Sequence, residues 1–132
     1  MNRPDYIPYK AAVALQKLGF DKFSDHVYLD DEETLRRVNG LINYPKILFP
    51  DVVEAPYYFE AFRFFREKYN MDSAIMLVGA GYGFYLFHDR HPLVCFENPS
   101  KSEFTYELAE EACLNKLTEI CEGRYSALNL IN

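Results

Sequence analysis

The stretch Ala55 to Tyr69, APYYFEAFRFFREKY, is the densest aromatic cluster of the chain and constrains its fold more than any other segment. Tyr58, Ala61, Phe62, Phe65 and Tyr69 recur at the i, i+3, i+4, i+7 spacing that gathers side chains on one face of a helix. A helix with such a stripe is marginal alone in water, so another layer has to cover it. Pro56 fits the first helical turn, where its missing N–H costs nothing, and Glu60, Arg63, Glu67 and Lys68 fall on the wetter side. Tyr57, Phe59 and Phe64 lie outside the stripe. Two accounts of them stand: the proline-rich loop before the helix folds over them, or they form a binding face for a partner.

A length of 132 residues suits one domain, 1–132, with a real core. The 49% hydrophobic and 26% charged fractions exclude disorder as the general state. Eleven Tyr and eleven Phe exceed what an ordinary core of this size needs, and Tyr is common at interfaces. A net charge of −6 argues against a protein whose affinity comes from neutralising phosphates. MNRPDYIPYK has no apolar signal core and no apolar run reaches membrane-spanning length, which reads as a cytoplasmic protein without a membrane partner. Cys95, Cys113 and Cys121 are odd in number and lack framework spacing, which suits reduced thiols.

In chain order, a first helix is expected from Pro8 to Leu18, closed by Gly19. From His26 the sequence reads either as a short helix or as a hairpin turning at Asp31, Glu32 and Glu33. Only Leu35 and Val38 offer a helical stripe, which favours the hairpin. Pro45, Pro50 and Pro56 then break the chain into a loop with one extended piece at Lys46 to Phe49. Beyond the central helix, Asn70 is a left-handed terminator. Ser73–Val78, Tyr82–His88 and Leu93–Phe96 read as an antiparallel meander turning at GAGYG and HDRHP. Thr105 is placed to cap a last helix that runs to Glu122 and stops at Gly123, with Glu107 in its first turn. Its expected seam is Tyr106, Ala109, Cys113, Leu117 and Ile120, flanked by Ala112, Leu114 and Cys121, with Glu110, Glu111 and Glu119 outward. Leu128, Leu130 and Ile131 point to a tail that docks on the body or on another chain. The fold class is therefore α+β: an antiparallel sheet of three or more strands packed by two main helices, with an N-terminal helix and a hairpin at one edge.

Little in the chain has the spacing of a chemical motif. Gly79, Gly81 and Gly83 resemble part of a dinucleotide loop, but a strand rather than a helix follows, so hairpin glycines are the simpler account. His88, His91 and Cys95 form the one concentrated metal-capable set, and His88 could also activate Cys95 as a nucleophile if the fold brought them together. The alternative is a polar hairpin turn with Cys95 buried in a strand. Cys113 and Cys121 fall near one helical face, as buried thiols do. The order helix, three strands, helix over Pro56 to Glu122 is that of double-stranded RNA-binding domains. Between Glu103 and Glu122, however, six glutamates face Lys116 alone, a surface that repels RNA.

Three pieces of the chain resemble a group of small uncharacterised proteins encoded by phages and mobile elements of gut Bacteroidetes. They are Pro8-Tyr9-Lys10-Ala11-Ala12 with Lys17-Leu18-Gly19-Phe20-Asp21, Ala55-Pro56-Tyr57-Tyr58 leading to Phe64-Phe65-Arg66-Glu67-Lys68-Tyr69, and Thr105-Tyr106-Glu107 to Ala112-Cys113-Leu114. The group often has Trp at Phe64 and glutamines at Phe59 and Glu60, where this chain departs from it. The resemblance implies a phage-derived protein and carries no catalytic residues. The expectation is thus a non-enzymatic accessory or protein-interaction domain without cofactor or metal. Its partner is another protein or a second copy in a homodimer, and Tyr57, Phe59 and Phe64 are its candidate face. The alternatives are a small thiol or histidine hydrolase using His88, His91 and Cys95, and a nucleic-acid binder using Arg36, Arg37, Arg63, Arg66 and Lys68.

Overall fold

Proline opens the first element and glycine closes it. In the computed structural model, which describes residues 3–22, 24–29, 34–37, 52–79, 81–97 and 105–123 (backbone alone at 29, 34–37, 78 and 94–97), Pro8 is the extended N-cap of helix α1, Tyr9–Lys17. Gly19 leaves that helix at φ 105°. The Gly19 N–H donates to the Gln16 carbonyl and the Phe20 N–H to that of Leu15 at 2.9 Å, the paired bonds of a Schellman motif, with Leu15 and Phe20 both buried. Val27 to Leu29 are β-prone, and the chain forms the hairpin rather than the short helix: β1 (His26–Leu29) pairs antiparallel with β2 (Thr34–Arg37). β1 pairs on its other side with β3 (Val53–Glu54), giving a three-stranded sheet in the order β2-β1-β3. The hairpin thus belongs to a sheet of its own and does not extend the meander. The extended piece expected at Lys46–Phe49 and the tail of Leu128, Leu130 and Ile131 lie outside the described residues.

The central helix, α2, runs Tyr58–Tyr69. Pro56 is not in its first turn: it is fully buried before the helix, where its carbonyl accepts the Ile7 N–H at 2.9 Å. The Tyr58 N–H donates to the Asp5 carbonyl at 3.0 Å, and an antiparallel bridge joins Tyr6 to Tyr57, so the start of α2 is fastened to the N-terminal segment. Along the stripe Tyr58, Ala61 and Phe65 are buried, and Phe62 and Tyr69 half-buried.

Asn70 turns the chain at φ 55° into β4 (Met71–Val78), followed by β5 (Gly81–His88) and β6 (His91–Glu97) in an antiparallel meander ordered β4-β5-β6. Both connections are two residues long, since Val78 pairs with Gly81 and His88 with His91. Helix α3 (Tyr106–Gly123) packs on β4 and β5. Its N-cap is Thr105, whose Oγ1 accepts the Leu108 N–H at 3.1 Å. Ala109, Cys113 and Leu117 are buried as the spacing requires, but the seam continues through Leu114, Thr118 and Cys121, while Ile120 is half-buried and Tyr106 exposed. Thr118 is tolerated there because its hydroxyl donates to the Asn115 carbonyl at 2.8 Å.

The architecture is α+β, with three helices and two antiparallel three-stranded sheets among the described residues. The chain divides into two compact units, Met1–Ala61 and Phe62–Asn132, the division falling inside α2. The first unit is cored by Ile7, Leu15, Phe20, Val27, Tyr28 and Val53, the second by Phe65, Met71, Phe84, Leu86, Leu114 and Leu117.

Candidate interaction site

Tyr57 occupies the N-cap of α2, and its carbonyl accepts the N–H groups of Glu60 and Ala61 at 3.0 Å. Glu60, three residues on, returns its Oε1 to the Tyr57 N–H at 3.0 Å, the reciprocal half of a capping box. The Tyr57 hydroxyl donates to Asp25 Oδ2 at 3.0 Å, so main chain and side-chain tip are both held. On this fixed ring Phe59 stacks nearly parallel, with centroids 5.6 Å apart and planes at 7°. His26 meets it edge-on at 6.0 Å and Tyr6 lies 4.6 Å from His26. The result is a row of rings, Tyr6, His26, Tyr57 and Phe59, ending in a phenyl ring that is 60% exposed, with the exposed Asp25 carboxylate alongside. Of the three aromatics outside the helical stripe, Tyr57 and Phe59 are brought together. Phe64 is half-buried and belongs to a different cluster, edge-on to Phe65 at 5.4 Å and to Tyr69 at 5.9 Å.

Asp25, His26 and Tyr6 had no signal in the sequence, because they meet Tyr57 from more than thirty residues away. Glu54 gave no signal either, because its partner Ser24 stands thirty positions earlier. This carboxyl on β3 is 5% exposed and accepts the Ser24 N–H on Oε1 at 2.7 Å. Burial pushes it up from 4.5 to about 7, against the opposing pull of the Ser24 hydrogen bond. Ser24 Oγ and His26 Nδ1 are buried without a hydrogen-bond partner among the described residues. Glu54 pairs in register with Val27, the neighbour of His26 along β1, so the two titratable groups stand on opposite faces of the ladder and do not form one catalytic set.

His88 and His91 are a cross-strand pair flanking the Asp89-Arg90 turn. His91 is exposed, whereas His88 is half-buried with its Nδ1 lacking a partner among the described residues. Cys95 lies in a stretch of β6 where the register slips, between Val94 opposite Leu86 and Glu97 opposite Phe84, and its side chain is outside the described residues. Among the described residues no three His, Cys, Asp or Glu side chains are grouped as metal ligands. Cys113 and Cys121 are free, buried thiols in the α3 seam, each pushed up to about 12 chiefly by burial. Gly79 takes a positive φ of 62° in the β4–β5 turn, as expected of a hairpin glycine, while Gly81 and Gly83 are paired residues within β5.

The face of the β4-β5-β6 sheet carrying Ala74, Met76, Tyr85, Phe87 and Pro92 forms an apolar groove of about 310 Å³. The α3 surface carries Glu107, Glu110, Glu111, Glu119 and Glu122 against Lys116, which is itself paired with Glu119 at 3.3 Å. Arg63 and Arg66 are exposed on α2, and the side chains of Arg36 and Arg37 lie outside the described residues. No helix among the described residues is long and apolar enough to cross a membrane. Compared with family models, with curated proteins and with solved structures, the chain matches none.

Proposed function

We propose that this protein is a non-enzymatic protein-interaction domain, an accessory protein of phage or mobile-element type that meets its partner through the Tyr57–Phe59 wall. The observation that carries the reading is a large apolar ring, 60% exposed, held in a fixed orientation by a stacked neighbour. That neighbour is tied to Glu60 at its main chain and to Asp25 at its hydroxyl. The stack on Tyr57 contributes about 0.5–1.5 kcal/mol to the fold itself, and it also leaves an apolar ring ordered at the surface, where a ring with little rotamer freedom loses little entropy on association. The resemblance of the α1, α2 and α3 segments to uncharacterised phage-encoded proteins supports the phage or mobile-element origin and assigns no role. The test is capture of a partner followed by reconstitution with that partner purified at defined stoichiometry. Phe59→Ser is expected to abolish the complex while lowering stability only by the lost stack, about 0.5–1.5 kcal/mol, so that the protein remains folded. A complex that survives Phe59→Ser intact would overturn the assignment.

The apolar groove on the second sheet favours a further reading, self-association as a homodimer over Ala74, Met76, Tyr85, Phe87 and Pro92. Light scattering across a concentration series is expected to show a dimer that Phe87→Glu dissociates. A strict monomer at high concentration would remove this reading and leave the first in place.

A further inference from the structure

We infer that the Tyr57–Phe59 wall and the Asp25 carboxylate together form a recognition site for a cationic side chain, arginine above all, presented by a protein partner. This rests on the interaction reading and adds the chemistry of what is recognised. A ring face is the negative end of an aromatic quadrupole and attracts a cation placed over it, and Phe59 offers most of its surface to solvent. Asp25 supplies a full negative charge beside the row of rings. Its position is set by the bond from the Tyr57 hydroxyl, and that hydroxyl belongs to the ring on which Phe59 stacks. Carboxylate and exposed ring are therefore both fastened to Tyr57.

A guanidinium fits this pair better than an ammonium or a methyl group. It is planar, so it lies flat on an exposed ring, and it carries several N–H donors around its edge that can be shared with a carboxylate beside the stack. The first unit already contains such a contact: the Arg3 guanidinium carbon stands 3.8 Å from the centroid of the Tyr58 ring. An apolar side chain would leave the Asp25 carboxylate partly desolvated without compensation. A nucleobase could stack on the same rings, but its phosphates would meet Asp25 and a chain of net charge −6.

The experiment is an NMR titration of the full chain, following the ring signals of Tyr57 and Phe59 and the backbone signal of Asp25. The probes are the peptide Gly-Arg-Gly-Arg-Gly, its Lys, Leu and Glu counterparts, and a short single-stranded oligothymidine. The Arg peptide is expected to shift these signals saturably and the Lys peptide more weakly, with no shift from the Glu peptide or the oligonucleotide. Asp25→Asn and Phe59→Leu are each expected to weaken the Arg peptide about fivefold or more. Raising salt from about 50 to about 300 mM is expected to weaken it further. Phe59→Leu keeps an apolar side chain at an exposed position, so it separates loss of the ring face from loss of folding. Shifts from the Leu peptide or the oligonucleotide that match those from the Arg peptide would overturn the cationic assignment. If the Leu peptide alone binds at Tyr57 and Phe59, the interaction reading survives that failure. If no peptide shifts these signals and Phe59→Ser leaves a reconstituted complex intact, both fall.

Discussion

Arg90 and Asp89 close the β5–β6 hairpin at φ 71° and 51°, so both central positions of a two-residue turn are left-handed, as a type I′ turn requires. Cβ crowds the following carbonyl in that conformation; a short polar side chain such as Asp eases the cost by local hydrogen bonding, whereas Arg90 adopts it without that relief. Asp-Gly is a preferred pair for this turn, and Arg90→Gly is expected to stabilise the protein by about 0.5–1 kcal/mol. A rise in the urea midpoint at constant slope would register it, and an unchanged or lower midpoint would contradict it. Glu54 is the second residue whose placement has a measurable cost. Its folded carboxyl titrates near 7 against 4.5 when unfolded, so the folded state holds this proton more tightly. The stability it contributes is fully present below about pH 4.5 and is lost as pH rises through about 7, by at most about 3 kcal/mol. Glu54→Gln keeps an oxygen for the Ser24 N–H but cannot ionise. Relative to wild type, the variant is expected to gain stability between about pH 5 and about pH 8, measured by urea unfolding at each. A difference that does not change with pH would refute this account. Neither residue could be ranked from sequence: HDRHP reads as a turn without its handedness, and Glu54 gives no sign that Ser24, thirty positions earlier, will lie against it.

The elements divide by how local their causes are. The α3 cap was legible, because Thr105 and the helix it starts are neighbours in the chain, and the Thr105 Oγ1 bond to the Leu108 N–H realises it. Thr105→Ala is expected to cost about 1 kcal/mol. Leu117→Ala, at a position with no exposure in the same helix, is expected to cost about 2–5 kcal/mol. Comparing the two in one chemical denaturation series separates the cap from the core, and a Thr105→Ala loss as large as that of Leu117→Ala would mean that Thr105 does more than cap. The α2 start was misplaced because it is set from a distance: the Ile7 N–H and the Asp5 carbonyl fix residues 56–58, so Pro56 precedes the helix and Tyr57 caps it. On β6 the register slips twice, between the partners of Phe84 and Leu86 and between those of Leu86 and Phe87. Each extra residue reverses which side chains share a face, so alternation could not tell where Cys95 points or that Pro92 would join Tyr85 and Phe87 in the apolar groove. The candidate site was half legible for the same reason. Tyr57 and Phe59 stood out as surplus to the stripe, while Asp25 and His26 reach them only through β1 and the chain before it.

At the scale of the whole molecule, charge and topology point in different directions, and charge weighs against nucleic acid. The order α2-β4-β5-β6-α3, with a meander covered by the last helix, is the connectivity of a double-stranded RNA-binding domain. A domain of that kind holds the duplex by cations near the start of its final helix. Here the first turns of α3 carry Glu107, Glu110 and Glu111, and the one lysine of the helix is engaged by Glu119. With the chain at −6, approach to a duplex is repelled at long range, and no described residue near the start of α3 supplies the cations whose counterion exchange would offset that repulsion. Connectivity of this kind places helices and strands, whereas affinity comes from the side chains they carry. The expected outcome is no change in the fluorescence anisotropy of a labelled RNA duplex at about 50 mM salt, where electrostatic binding is strongest. A saturable rise that falls steeply with added salt would show that arginines such as Arg63 and Arg66 on α2 outweigh the glutamates of α3, and would favour the nucleic-acid reading that the charge pattern weighs against.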